Sequence, residues 1–232
     1  MVTLVGVTGC GGGEGGGDKA GKSTGPSPSA APAAGLTESQ LTSVAFTDGE
    51  RVGTYTASDY TLDGPLGDDY TATPAVCQPL VSLAGDVSDY DPTAQVQRKV
   101  DVPEEMLGVT VDVTLRSYGK GEAAKVMLSL DKAGRDCAGG LTEERAVARA
   151  TYEKVEPTGL PAFAAEADEA KAYRFTVLDV KGKLKLYEYL TVVRAGSTTI
   201  AFRGEILDTK DIGGVPQDIM AAQWKKFRAA QT

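Results

Sequence analysis

The sequence predicts an α+β domain over residues 36–232, a twisted and mainly antiparallel sheet with helices packed on one of its faces. Three observations predict it. Val109, Val111, Val113 and Leu115 alternate with Thr110, Asp112, Thr114 and Arg116, the period of a half-buried strand. Three β-rich segments, 172–180, 184–194 and 198–207, follow one another through Lys181-Gly182 and Ala195-Gly196, as antiparallel hairpins do. Strong helical spacing is confined to residues 122–132 and 215–230.

Taken in order, Thr37 and Gln40 form a capping box that opens a short helix toward Phe46. Residues 51–62 are β-branched and aromatic and read as one strand, and 63–70 is a polar loop broken by glycine and proline. Residues 75–83 read as a short helix that turns Cys77 inward beside Leu80, and 95–102 as a strand. After the 109–116 strand, the helix from Glu122 to about Lys132 buries Ala123, Val126, Met127 and Leu130 and delivers Cys137 just past its end. Residues 146–155 read as a further strand with weak alternation. In the hairpin region Ile200, Phe202 and Ile206 share one face. The last helix places Met220, Gln223, Trp224 and Phe227 on a stripe across the sheet, with Lys225, Lys226 and Arg228 facing away.

The first 35 residues carry two overlapping patterns. Gly16, Gly21, Lys22 and Ser23 satisfy the phosphate-binding G-x-x-x-x-G-K-[ST]. That loop works only when a helix follows it, and Pro26, Pro28 and Pro32 forbid one. Val7-Thr8-Gly9-Cys10 instead fits the small-residue pattern before a lipid-modified cysteine. Residues 1–9 are then the end of a lipoprotein signal, Cys10 the lipidation site, and residues 10–35 a flexible Gly/Ser/Pro/Ala tether. Nine residues are too short for a full signal, so this reading places the start codon further upstream. A residue carrying two or more acyl chains anchors stably. The expected address is the outer face of the cell membrane.

The tail's Glu14, Asp18, Lys19 and Lys22 cancel, so the formal charge of −8 sits on residues 36–232. An acidic surface with no basic patch argues against nucleic-acid partners. The chain contains no histidine and no asparagine, which removes Ser-His-Asp, Cys-His and His-ligated zinc chemistry. With Cys10 lipidated, Cys77 and Cys137 remain as an even pair. They either form a disulfide, worth about 4 kcal/mol in the chain-entropy model, or stay as two buried thiols. A disulfide would match an oxidising compartment.

Several residue patterns resemble sites. Ser117-x-x-Lys120 and Ser129-x-x-Lys132 match S-x-x-K, but neither Ser starts a helix and the supporting motifs are absent. Asp86, Asp89 and Asp91 lack EF-hand spacing and read as a solvated loop. Tyr60, Tyr70 and Tyr90 each follow an aspartate, a pairing useful for holding sugars or peptides and also common in packing. Glu188 falls on the apolar face of 184–194, where it pairs with a cation such as Arg194, lines a cleft, or is turned outward by a bulge; a bulge or exposure at a sheet edge is the expected resolution. Trp224 reads as core. Catalytic residues, metal and cofactor are all assigned as none.

The segments Leu36-Thr37-Glu38-Ser39-Gln40-Leu41, Cys77-Gln78-Pro79-Leu80, Leu115-Arg116-Ser117-Tyr118 and Val192–Ile200, with the amphipathic last helix, resemble an actinobacterial family. It is that of lipoproteins related to the PknH-type extracellular sensor domain, and the likeness spans most of residues 36–232. The resemblance implies an antiparallel sheet with helices, a stabilising disulfide and a cleft for an unidentified ligand. The family domain carries more cysteines, and no kinase domain lies in these 232 residues. The functional expectation is a lipid-anchored, non-catalytic binding or sensor-like domain whose partner is a small molecule, glycan or envelope protein, not a nucleotide. The competing expectations are an envelope hydrolase, which needs two convergent carboxylates or a Ser–Lys contact, and a structural lipoprotein binding through its sheet edge.

Overall fold

The computed structural model describes residues 35–59, 70–83, 90–102, 109–145, 148–206 and 209–230. Helix α1 (Glu38–Val44) begins at the expected capping box: Thr37 Oγ1 accepts from the Gln40 amide and Gln40 Oε1 accepts from the Thr37 amide. Strands β1 (Arg51–Val52) and β2 (Tyr55–Asp59) replace the single strand expected over 51–62. Gly53 adopts φ 62°, a left-handed value that folds the segment into a hairpin. Strand β3 (Thr71–Thr73), a 3-10 turn (Ala75–Cys77) and α2 (Gln78–Ser82) follow, then β4 (Ala94–Val102) and β5 (Val109–Ser117).

Helix α3 (Glu122–Asp136) runs one turn longer than its periodicity predicts. Strands β6 (Leu141–Arg145) and β7 (Ala148–Pro157) form a hairpin where one strand, 146–155, was expected. Beyond a second 3-10 turn (Ala162–Glu166) come β8 (Glu169–Leu178), β9 (Lys185–Ala195), β10 (Thr198–Ile206) and α4 (Gln217–Ala229). The β8–β9 and β9–β10 hairpins turn where the sequence places them.

Ten strands form one sheet in the order β1-β2-β4-β5-β10-β9-β8-β7-β6-β3, every neighbouring pair antiparallel. Helices α1 and α4 pack on one face, against Val111, Val113 and Leu115 of β5 and Ile200 and Phe202 of β10. Helices α2 and α3 pack on the other face, against Tyr173, Phe175 and Val177 of β8 and Leu190 and Val192 of β9. Tyr189 and Val193 point to the first face, Leu190 and Val192 to the second, so β9 is buried on both sides. The expectation of helices on one face is therefore corrected: each face carries a pair.

Cys77 and Cys137 are joined in a disulfide, with 5.9 Å between their Cα atoms and 60 residues of separation. It ties the start of α2 to the C-cap of α3. Trp224 is core as expected, stacked between Phe163 and Phe227.

Gly134 shows how tightly α3 lies on the sheet. A Cβ there would sit 2.3 Å from Cε1 of Tyr173, inside the ring's van der Waals surface. On an exposed helix, glycine to alanine stabilises by up to about 1 kcal/mol. Here Gly134→Ala is expected to destabilise by about 1–3 kcal/mol, because the ring must leave its rotamer or the helix must lift. Urea unfolding checks the sign.

Candidate functional site

On the α2/α3 face, ionisable side chains line up across six strands. Cross-strand register places Arg203 of β10 opposite Asp112 of β5, and Asp112 opposite Lys99 of β4. On its other side Arg203 lies diagonal to Glu188, since Glu188 pairs with Glu205 and Leu190 with Arg203. Glu188 faces Phe175 of β8 in register, and beyond it come Tyr152 of β7 and Glu143 of β6.

The centre of this line is dry. Glu143, Tyr152, Glu188 and Arg203 are 1, 4, 8 and 5 % exposed. Arg203 Nη2 donates to Glu188 Oε2 at 2.6 Å and to the Tyr152 hydroxyl at 3.3 Å, while its Nε lies 3.2 Å from Glu205. The Tyr152 hydroxyl donates to Glu143 Oε2 at 2.8 Å and lies 3.4 Å from Glu188. Burial opposes charge on Arg203, but Glu188, Tyr152, Glu205 and Glu143 outweigh it and hold the guanidinium protonated. Burial pushes the Tyr152 hydroxyl well up, and Glu188 and Glu143 push it further, so Tyr152 stays neutral.

Toward β4 the line continues as a polar lining. Arg116 is fully buried and donates from Nε to Gln95 Oε1 at 2.7 Å; Gln97 lies 3.5 Å from the Thr114 hydroxyl. The polar face of the 109–117 strand, which reads as solvated in sequence, is thus partly interior.

Helix α2 closes over the charged centre. Leu80 and Val81 join Leu141, Phe175 and the four ionisable residues around a crevice of about 10 Å³. That volume holds at most one water molecule. Glu143 and Glu188 converge on one hydroxyl, the arrangement a carboxylate hydrolase needs, but the closed crevice admits no sugar or peptide.

The sequence-predicted residues fall as follows. Glu188 is buried in a regular strand and salt-bridged to Arg203, not turned outward by a bulge. The bulge in this region lies in β7, between Tyr152 and Lys154. Arg194, the cation named for Glu188, instead pairs with Glu169 and Asp168. Tyr70 is buried in the same apolar core as Tyr152 and Leu190, and Tyr90 packs against its margin. Tyr60, Asp86, Asp89, Cys10, the tether up to residue 34 and the phosphate-loop pattern lie outside the described residues. Asp91 is exposed. Ser117 is buried whereas Lys120 is exposed, and Lys132 pairs with Asp136, so neither S-x-x-K pattern forms a pair there. No group of three or more metal-ligating side chains converges among the described residues.

Sequence reasoning missed Arg203, Tyr152 and Glu143. Arg203 was detectable in part: on β10 it alternates with Ile200 and Phe202, and only the burial of both faces makes it interior.

No family model matches this chain, and no curated protein does. Among solved structures it is similar to the extracellular domain of PknH from Mycobacterium tuberculosis, with TM-score 0.54 and 13% identity over 85% of this chain and 97% of that one. A Mycobacterium smegmatis protein described as an Rv0999 ortholog matches more loosely, with TM-score 0.34 and 15% identity over 76% and 83% of the two chains. At these identities the likeness to the PknH domain is one of fold: the chain shares the architecture of that extracellular domain.

Proposed function

We propose that this chain is a lipid-anchored, extracytoplasmic binding domain of sensor type, without catalytic activity, that takes its ligand on the α2/α3 face. The observation that carries the reading is the buried Glu143–Tyr152–Glu188–Arg203 network. Replacing such a network with hydrocarbon of equal volume is often neutral or stabilising, so stability alone does not account for it. Its donors and acceptors suit a polar ligand, admitted when α2 shifts away from Leu80 and Val81. Tyr70 and Tyr90 border the same core, and Tyr60 is the third candidate contact. The fold shared with the extracellular domain of PknH and the Cys77–Cys137 disulfide support an address outside the cytoplasm. Val7-Thr8-Gly9-Cys10 supports attachment by lipid at Cys10, and no helix among the described residues is long and apolar enough to cross a membrane.

Two measurements test this. Full-length protein from an actinobacterial host, grown with labelled palmitate, is expected to carry label that Cys10→Ser abolishes. Native mass spectrometry after exposure to an envelope metabolite extract is expected to reveal a bound species that Glu188→Gln loses. An equal yield of bound species from both proteins would overturn the assigned face. The convergence of Glu143 and Glu188 favours one second reading, a glycan hydrolase that opens on substrate binding, and release of reducing sugar from envelope polysaccharide would decide for it.

A further inference from the structure

The β8–β9 hairpin ends in Asp179-Val180-Lys181-Gly182-Lys183-Leu184, followed by Lys185. Val180 is fully exposed and Leu184 is 53 % exposed, two of the four large hydrophobic residues that the described structure leaves in solvent. Lys181 and Lys183 are also exposed, and no carboxylate among the described residues pairs with either. Lys185 reaches Glu153 at 2.7 Å. A chain of formal charge −8 thus presents, within one exposed turn, a cluster of lysines interleaved with aliphatic side chains.

The tip is built to hold this display. The Asp179 amide donates to the Leu184 carbonyl at 3.0 Å and the Gly182 amide to the Asp179 carbonyl at 2.8 Å. The Asp179 carboxylate accepts from the Lys183 amide at 2.6 Å and the Leu184 amide at 2.9 Å. Gly182 supplies the left-handed φ of 64° that the turn requires. The one acidic group in the turn is thereby aimed at its own backbone. A single exposed aliphatic residue is ordinary on a protein surface. Two on a hydrogen-bonded tip, between free ammonium groups, form an amphipathic surface.

We propose that this tip is a membrane-contact element that docks on anionic phospholipid headgroups, with Val180 and Leu184 entering the interface beside Lys181 and Lys183. Charge complementarity selects this occupant: an anionic bilayer supplies dispersed negative charge to the lysines and hydrocarbon just below it to the aliphatics. The inference goes beyond the ligand reading and uses none of its residues. It also does not depend on lipid attachment, because the test removes the attachment site.

The test is vesicle co-sedimentation of the full 232-residue chain carrying Cys10→Ser, so that no acyl chain brings it down. Vesicles rich in phosphatidylglycerol are expected to bind it at low salt, and vesicles of phosphatidylcholine alone are not. The pair K181E/K183E is expected to weaken partitioning by about 30-fold or more, at roughly fivefold per lysine neutralised. The pair V180S/L184S is expected to weaken it on the same vesicles with the salt dependence unchanged. All four positions are exposed, so both variants are expected to keep the parent melting temperature. Equal binding to the two vesicle types, wild-type binding by either variant, or complete release by millimolar inorganic phosphate overturns the proposal. So does binding to soluble polyglutamate as strong as to vesicles, which would make an acidic protein the partner.

Discussion

Reduction of the Cys77–Cys137 disulfide, or its replacement in Cys77→Ala/Cys137→Ala, is expected to lower the free energy of unfolding by about 4 kcal/mol. The figure follows from the 60 residues that the bond closes. With a domain of this size the loss corresponds to a fall in Tm of about 8–16 °C. Both sulfurs are buried, so removing them also strips packing from the α2–α3 junction. Guanidinium unfolding with and without reductant measures the effect, and an unchanged midpoint would show that the bond constrains little. Because α2 is short and its start is pinned by this bond, reduction is also expected to expose the crevice beneath Leu80 and Val81. Faster hydrogen exchange along β9, with β5 unaffected, would report that.

Arg203→Met is expected to destabilise by about 3–5 kcal/mol, since it breaks the buried 2.6 Å salt bridge to Glu188 and takes the guanidinium from between two buried carboxylates, Glu188 and Glu143. The variant Glu143→Gln/Glu188→Leu/Arg203→Met, which removes the charges together, is expected to fall within about 1–2 kcal/mol of the parent. The contrast separates the consequence of removing one member from the worth of the pair. The single variant also carries a pH signature. Removing a neighbouring cation from a buried carboxylate favours its protonated form, so in the variant the carboxyl is expected to hold its proton to higher pH than in the unfolded chain. A carboxyl shifted upward contributes stability below its unfolded pKa and loses it as pH rises through the folded one. The gap between Arg203→Met and the parent is therefore expected to narrow as pH falls toward 4. A gap that stays constant from pH 8 to pH 4 would mean that Glu188 keeps another cation.

Much of this fold was legible because local chemistry and tertiary structure agree. Thr37 and Gln40 cap α1 as their spacing says, the stripe Met220, Gln223, Trp224 and Phe227 is buried, and the late hairpins turn at Gly182 and Gly196. The failures are equally specific. Strand β6, Leu141-Thr142-Glu143-Glu144-Arg145, has no apolar alternation and is a strand only because β7 and β3 pair with it. The second helix layer was misjudged because β9 was read for one apolar face. Tyr189 and Val193 make the other apolar as well, a two-sided pattern that marks a strand covered on both sides. The candidate site was half legible. Glu188 stands out against Leu186 and Leu190 in one strand, but its partner depends on register between strands. Arg203 comes within reach only once β10 is laid beside β9 with Leu190 opposite it. Tyr152 enters from two strands away, its position shifted by the bulge before Lys154. None of these offsets is written in the spacing of any single segment.

Among the described residues, the sheet is bounded by β1, two residues long, and β3, three residues long. A long bare strand at either margin would offer a neighbouring copy a template to extend. Margins this brief leave few unsatisfied amides and carbonyls there for a neighbour to match. Edge-to-edge pairing between copies thus has little to build on, even though the eight strands between these margins form a broad β layer.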